Sequence, residues 1–540
     1  MSDRSRALPL ALCGAFLLLG LFTLDAYGVT WDEPLHRIWG ERIWTYVVTG
    51  DASVVEHLPG NGMYYGPIFY ILGYGVSEFA HHVLGMSFTA ANHLLTLVTA
   101  TLGLFCTYLL AEALSTRRAA LAALLLLALL PPFLAHAHYN PKDIPLLTLT
   151  VASLLYATHT YRTRRVLHAS LSGAFLGIAL SMKPTAVVLL PIIGGAVVAD
   201  LLARRSWGTP ELRSIAATVG ITAAAAVVSF VLAWPTLWRD PYLLVETIRY
   251  FGIGNFWMGD VLYFGVLVPA SELPWHYMPV MMLMSVPLVT IGLATGGSAV
   301  VIRRMLRQAR RPGEVSGRHA FAGVLLLLWV LLPLLMFMKP GLPRYDGIRQ
   351  LFFMIPAIMM LAGIGWDALW TRLEDRPQKG RGGRARMAHH AVALAAITWL
   401  IAENVRFYPY GGAYVSDAAR AALGPHVERS FEVEYWGASY QEGTRWLQSQ
   451  ARRDTVVCVP VGPHLMAWTE RDLEQTPAGR IFFDCSNRPD FVMMIARISQ
   501  WPYEYRHYAT ETPVFTVSRA GSDLLYVYRV VPEAANPSSP

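Results

Sequence analysis

Apolar runs separated by short polar connections dominate the chain up to residue 404. They fall at about 7–27, 88–112, 119–137, 144–160, 166–182, 185–203, 214–234, 277–302, 320–338, 350–369 and 388–404. Each has the ~17–25 residues that a helix needs to cross a bilayer, so about eleven spans are expected. The connections test this by charge. One alternate set is basic: Arg4 and Arg6, Arg117 and Arg118, Arg162 with Arg164 and Arg165, Arg204 and Arg205, Arg303 to Arg311, and Arg372 to Arg386. The other set is poor in Lys and Arg and rich in acidic, aromatic and proline residues. Basic loops stay in the cytoplasm. The N-terminus is therefore expected inside and, after an odd number of spans, the C-terminal region outside.

Three stretches need separate treatment. PIFYILGYGVSEFAHHVLG at 67–85 opens apolar but carries Glu78, His81 and His82. A crossing there would invert every later loop and destroy the charge alternation, so it reads as an interfacial or re-entrant helix. Lys183-Pro184 is the sole break between the runs at 166–182 and 185–203. The first run ends at Asp25 without a small-residue cleavage pattern, which favours an uncleaved span over a signal peptide. Residues 405–532 change character. DTVVCVPV, RIFFDC and DFVMMIA read as short buried strands, TPVFTVSR and DLLYVYRVV around an AGS turn as a hairpin, and SYQEGTRWLQSQA as a helix. A small α/β domain is expected there, following a membrane core over 1–404, with a disordered tail at 533–540.

Composition agrees with a membrane protein: 54% of residues are hydrophobic and 15% charged, against roughly 25% charged in soluble domains. Mean hydropathy is +0.38. The net charge of +7 sits in the short basic loops, which argues against a nucleic-acid partner. Cys13 and Cys106 lie in apolar runs. Cys458 and Cys485 lie in the polar C-terminal region, where an oxidising compartment would permit a disulfide.

With this topology the unusual polar residues fall on one side. TWDEP brings Asp32 and Glu33, HAHYNPKDIP brings His136, His138, Asn140, Lys142 and Asp143, and Lys183 follows. SELPWHYMP carries Trp275 and His276, and KPGLPRYDGIRQ carries Arg344 and Tyr345. Each has a plain structural alternative. Asp32 can cap a helix with Pro34 in its first turn, Lys142 and Arg344 can snorkel to the interface, and paired histidines are more often structural than metal ligands. Their convergence beside proline-rich backbone at one membrane face points instead to a polar cavity.

TWDEP, HYNPKDIP, PRYDGIRQ, and the C-terminal RFYPYGG and EYWGASY resemble bacterial glycosyltransferases of the protein-mannosyltransferase-like group, which share the GT-C fold with the aminoarabinose transferases of lipid A. The resemblance implies a polytopic helical core with a small extracytoplasmic domain, in the bacterial cytoplasmic (inner) membrane. It also implies inverting transfer from a polyprenyl-phosphate sugar donor to an acceptor hydroxyl. By the same likeness Asp32 is the base, Glu33 its neighbour or an acceptor-positioning group, and Asp143 a second acid orienting a cation or a sugar hydroxyl. Arg344, Lys183 and Lys142, with Tyr345 as a hydroxyl donor, meet the donor phosphate, Arg344 foremost because its planar fork suits phosphate oxygens. His138, Asn140, Trp275 and His276 are candidate acceptor or sugar contacts. No metal ligands are assigned, although a divalent metal stays open. Membrane lipids surround a monomeric chain, and the acceptor is unspecified. The competing classes are a transporter or flippase, which would favour duplicated halves and mid-bilayer polar groups, a metal-dependent oligosaccharyltransferase of the same fold, and an inactive scaffold.

Overall fold

The computed structural model describes residues 6–204, 208–252, 257–310, 318–374, 382–451, 454–469, 471, 480–486 and 488–530. The expected tail at 533–540 and parts of the basic loops lie outside these residues. The membrane core comprises α1 (Ala7–Thr23), α2 (Glu33–Thr49), α3 (Ile68–His82), α4 (Phe88–Leu114), α5 (Arg117–Ala128), α6 (Pro131–Tyr139), α7 (Asp143–Thr163) and α8 (Val166–Met182). It continues with α9 (Leu189–Arg204), α10 (Thr209–Leu232), α11 (Tyr277–Ser285), α12 (Leu288–Arg310), α13 (Arg318–Phe337), α14 (Ile355–Glu374) and α15 (Gly382–Phe407). Among the described residues seven helical segments are long and apolar enough to cross a membrane, and the bent pair α5–α6 makes an eighth. The shorter α8, with α7 and α15, occupies the places of the remaining expected spans.

Proline sets two breaks that the hydrophobic pattern ran across. A proline cannot donate its nitrogen to the helix ladder and forces the residue before it into extended backbone. Leu130, before Pro131 and Pro132, is extended, and the chain turns by 64° between α5 and α6. Val286, before Pro287, is likewise extended, so the expected run at 277–302 divides into α11 and α12. The segment at 67–85 forms α3, which packs on α2 and α4 and does not reach the length of a span.

Close helix contacts use small residues, as membrane helices do in the absence of a hydrophobic drive. On α8, Gly173 and Gly177 are one turn apart and rest on the carbonyls of Thr222 and Ala226 of α10, leaving no room for a Cβ. The 21 residues of α7 carry the chain about 30 Å, and α8 returns it. The basic turn Arg162–Arg165 therefore lies at the opposite end of the bundle from Asn140–Asp143 and Lys183. Sequence charge alternation thus becomes a physical separation of the two ends.

After α15 the chain forms a C-terminal sheet domain. Its helix α16 (Tyr440–Gln450) covers a sheet built from β3 (Thr455–Cys458), β4 (Ile481–Phe483), β5 (Phe491–Ile495), β6 (Phe515–Arg519) and β7 (Ser522–Arg529). A separate hairpin of β1 (Asp260–Tyr263) and β2 (Val266–Pro269) precedes α11. The five-stranded order is β4-β3-β5-β7-β6, with β3 parallel to both β4 and β5 and with β7 antiparallel to β5 and β6. The expected strands and helix are all present. Ala520 and Gly521 make the hairpin turn, both with positive φ. Cys458 and Cys485 are joined by a disulfide.

Candidate active site

The end of α1, the start of α2, the α6–α7 turn, the end of α8 and the segment before α14 meet at one mouth of the bundle. Asp32 stands at the N-cap position of α2 with Pro34 in the first turn, yet its side chain makes no capping bond. Its Oδ2 accepts instead from Arg349 Nη1 at 3.1 Å. Burial raises the proton affinity of Asp32, but Arg349, His36 and Lys142 outweigh it and hold the carboxyl well below the usual carboxylate range. Lys142, in the α6–α7 turn, places its ammonium 3.7 Å from the Tyr65 ring centroid. Burial pushes that ammonium down to about 8 while Asp32 pulls it up. Lys183 Nζ donates to Asp143 Oδ1 at 2.8 Å, and Asn140 Nδ2 donates to the other oxygen at 3.0 Å.

Several expected residues take other roles. Arg344 is fully buried, and its guanidinium donates to the carbonyls of Leu273, Pro274 and Leu342. It fixes the loop before α11 and has no nitrogen aimed at Asp32. The arginine at the mouth is Arg349, five residues later. Asp346 and Gly347, with φ of 56° and 59°, reverse the chain between the two arginines. Glu33 turns inward. Its Oε2 accepts from the Thr30 N–H at 2.7 Å and the Thr30 hydroxyl at 2.8 Å, and Oε1 lies 3.0 Å from His93 Nε2. Glu33 thus ties down the turn that leads into α2, with His93 as an added partner. His138 stacks on Tyr27 at 3.9 Å and faces α1, whereas His136 stacks on Phe352 and touches Asn140. The two histidines share no ligand position. Asn140 supports Asp143 from within the protein. Trp275 is exposed, and His276 bonds the Tyr263 hydroxyl at 2.7 Å; both sit with Arg344 around the β1–β2 hairpin. Tyr345 does reach the mouth, beneath Arg349 and stacked on Trp257 at 4.5 Å.

The sequence reading missed Arg349 and the charges behind it. Arg349 Nε pairs with Asp346 at 3.2 Å, Asp346 pairs with Arg497 at 2.7 Å, and Arg497 lies 3.7 Å from Glu432. This buried chain of alternating sign runs from Asp32 into the C-terminal domain. The Arg349 guanidinium also stacks over Trp436, 4.9 Å from its centroid, so EYWGASY forms a wall of the mouth. The Trp31 N–H donates to the Trp436 carbonyl at 2.7 Å. RFYPYGG packs beneath, with Gly411 against the Pro131 carbonyl and Gly412 against the Tyr139 hydroxyl. His36, one turn after Asp32, is buried with Nδ1 unbonded and stacks on Tyr70. An apolar groove of about 430 Å³ on the outside of α8 and α10, lined by Leu180, Ala226, Phe230 and Leu237 among others, opens three residues before Lys183. Among the described residues one set of metal-type ligands converges, His426, Glu428 and Asp523, in the C-terminal domain.

The family profile described as dolichyl-phosphate-mannose-protein mannosyltransferase matches residues 76–234. The chain is similar to the crystal structure of ArnT from Cupriavidus metallidurans in the apo state, with a TM-score of 0.51, 16% identity and coverage of 96% of this chain and 97% of that one. The same protein bound to undecaprenyl phosphate aligns over 99% of both chains at 16% identity and a TM-score of 0.49. No curated protein sequence matches. The fold is that of the GT-C glycosyltransferases, in a multi-pass membrane protein with a small C-terminal sheet domain.

Proposed function

We propose that the protein is an inverting glycosyltransferase. It moves a sugar from a polyprenyl-phosphate donor to an acceptor hydroxyl of a lipid, glycan or protein on the extracytoplasmic face. The observation that carries this is the Asp32 carboxylate paired with Arg349 at a mouth that also holds Lys142 and Lys183. An acceptor hydroxyl is a weak nucleophile, and Asp32 takes its proton as the new glycosidic bond forms. The breaking bond leaves negative charge on phosphate, which Lys142 and Lys183 stabilise. A carboxylate clamped by arginine is a poor base. A bound phosphate competes for the Arg349 guanidinium, and the Asp32 released from it gains proton affinity. Donor binding therefore readies the base. Asp32 is paired with Arg349 and Asp143 with Lys183, so an incoming phosphate meets cations already held in place. The apolar groove lined by Leu180, three residues before Lys183, suits the polyprenyl tail. The disulfide and the basic turns at the far end support an extracytoplasmic mouth and a cytoplasmic N-terminus.

Asp32→Asn tests the assignment. Membranes and purified protein are supplied with a polyprenyl-phosphate sugar, and envelope lipids and glycans are read by mass spectrometry. Transfer is abolished while folding and donor binding persist; wild-type turnover by Asp32→Asn removes Asp32 as base.

A further inference from the structure

We infer that the C-terminal domain carries a separate carbohydrate-binding cleft, which holds a neutral or amino-bearing sugar portion of the acceptor. This inference rests on the proposed transfer reaction. The three parallel strands β4, β3 and β5 end on one edge of the sheet, and a cavity of about 410 Å³ opens there. Ligands in α/β sheets bind outside the carboxyl ends of parallel strands, and the volume lies within the ~300–1,000 Å³ of small-molecule sites. The lining is supplied by the segments following the strands: Val459 and Pro460 after β3, Phe483 and Asp484 after β4, and Glu504 and Tyr505 beyond β5.

The chemistry of these residues selects the ligand. Two carboxylates and a phenol stand over proline and aromatic surfaces, and among the described lining residues none is a cation. The exposed Glu504 carboxylate at the rim disfavours a phosphate or other anion. A sugar presents hydroxyl donors to carboxylates and an apolar C–H face to rings, which the lining matches on both counts. The rim is rigid before any ligand arrives. The disulfide ties the end of β3 to the segment after β4, the Asp484 N–H donates to the Val457 carbonyl at 3.0 Å, and the Tyr505 hydroxyl lies 3.2 Å from Cys458 Sγ.

The cleft is coupled to the reaction centre by one short loop. Val459, Pro460 and Pro463 line the cavity, while Gly462 and His464 lie on Trp31. Gly462 has φ of 69° and rests against the Trp31 indole, and His464 Nε2 donates to the Trp31 carbonyl at 3.0 Å. Trp31 immediately precedes Asp32. A glycan seated in the cleft thus lies across a single loop from the base.

The test uses the full chain in lipid nanodiscs on an array of immobilised neutral, amino-bearing and acidic glycans. It compares wild type, the double variant Asp484→Asn/Glu504→Gln, and Asp32→Asn. Neutral or amino-bearing glycans are retained by wild type and by Asp32→Asn, and retention falls by at least about tenfold in the double variant. Asparagine keeps the oxygen that holds Ser486, and an unchanged melting temperature checks that the rim stays folded. Equal retention by the double variant, preference for acidic glycans, or no retention of any glycan overturns the cleft. Glycan retention by a wild-type protein that transfers no sugar leaves the cleft standing and sinks the transferase reading instead.

Discussion

Arg344 and Arg349 lie five residues apart in one loop and have opposite fates. Arg344→Ala strips the buried Leu273 carbonyl and the part-buried carbonyls of Pro274 and Leu342 of their donor, at about 1–3 kcal/mol for a buried group left unpaired, so it lowers thermal stability and expression. Arg349→Ala strands Asp32 and Asp346 and so also costs stability, but the molecules that fold lose donor turnover by about 100-fold or more, as loss of a transition-state electrostatic partner does. A donor-saturation series separates them, and full activity in Arg349→Ala would refute its place at the phosphate. PRYDGIRQ was legible as a functional loop, and the Asp-Gly turn signal at 346–347 was in view. What composition cannot show is the direction in which a left-handed turn sends the arginine after it. Lys142 gives a pH test. Its ammonium, pushed down to about 8, is cationic below that value and neutral above it. The KM for the donor therefore rises as pH climbs through about 8, and Lys142→Arg abolishes the change; a flat KM from pH 7 to 9 would remove Lys142 from the phosphate.

Helices were legible because apolar runs of span length have few alternatives in water. Their ends were less so, and the two prolines that cut 119–137 and 277–302 explain the difference. A hydrophobic run reports burial in lipid or protein but is silent on backbone continuity. The first break matters for function, because the turn after Leu130 swings α6 so that His136, Tyr139 and Asn140 form the floor of the mouth. The α8–α10 contact offers a test of packing alone. At Gly177 a valine side chain would strike the Ala226 carbonyl and the Ser229 hydroxyl, and the overpacking penalty is about 1–3 kcal/mol or more. Gly177→Val lowers the melting temperature in detergent, whereas the exposed Gly194→Val, with open space around it, does not. Equal effects would mean that the contact is not tight.

For the whole molecule, the sheet domain does more than sit on the bundle. Arg497 inserts between Asp346 and Glu432, all three buried. Removing one partner of such a group costs about 3–5 kcal/mol, because the remaining charges are stranded in a dry site. Arg497→Leu therefore destabilises the full chain and also slackens Arg349, so the residual folded fraction shows reduced kcat as well. Normal kcat per folded molecule would mean that the charge chain has no bearing on the mouth. None of this long-range pairing was readable from the residues, since Arg497 follows an unremarkable strand far along the chain from Asp32. It also limits how such a protein can be re-engineered. A chimaera that grafts the sheet domain of a relative onto this bundle leaves the buried Asp346 with Arg349 as its one remaining cation, already shared with Asp32, unless the donor carries a guanidinium at the matching place. Exchange of outer domains to change the accepted glycan must therefore carry that arginine along as part of the joint.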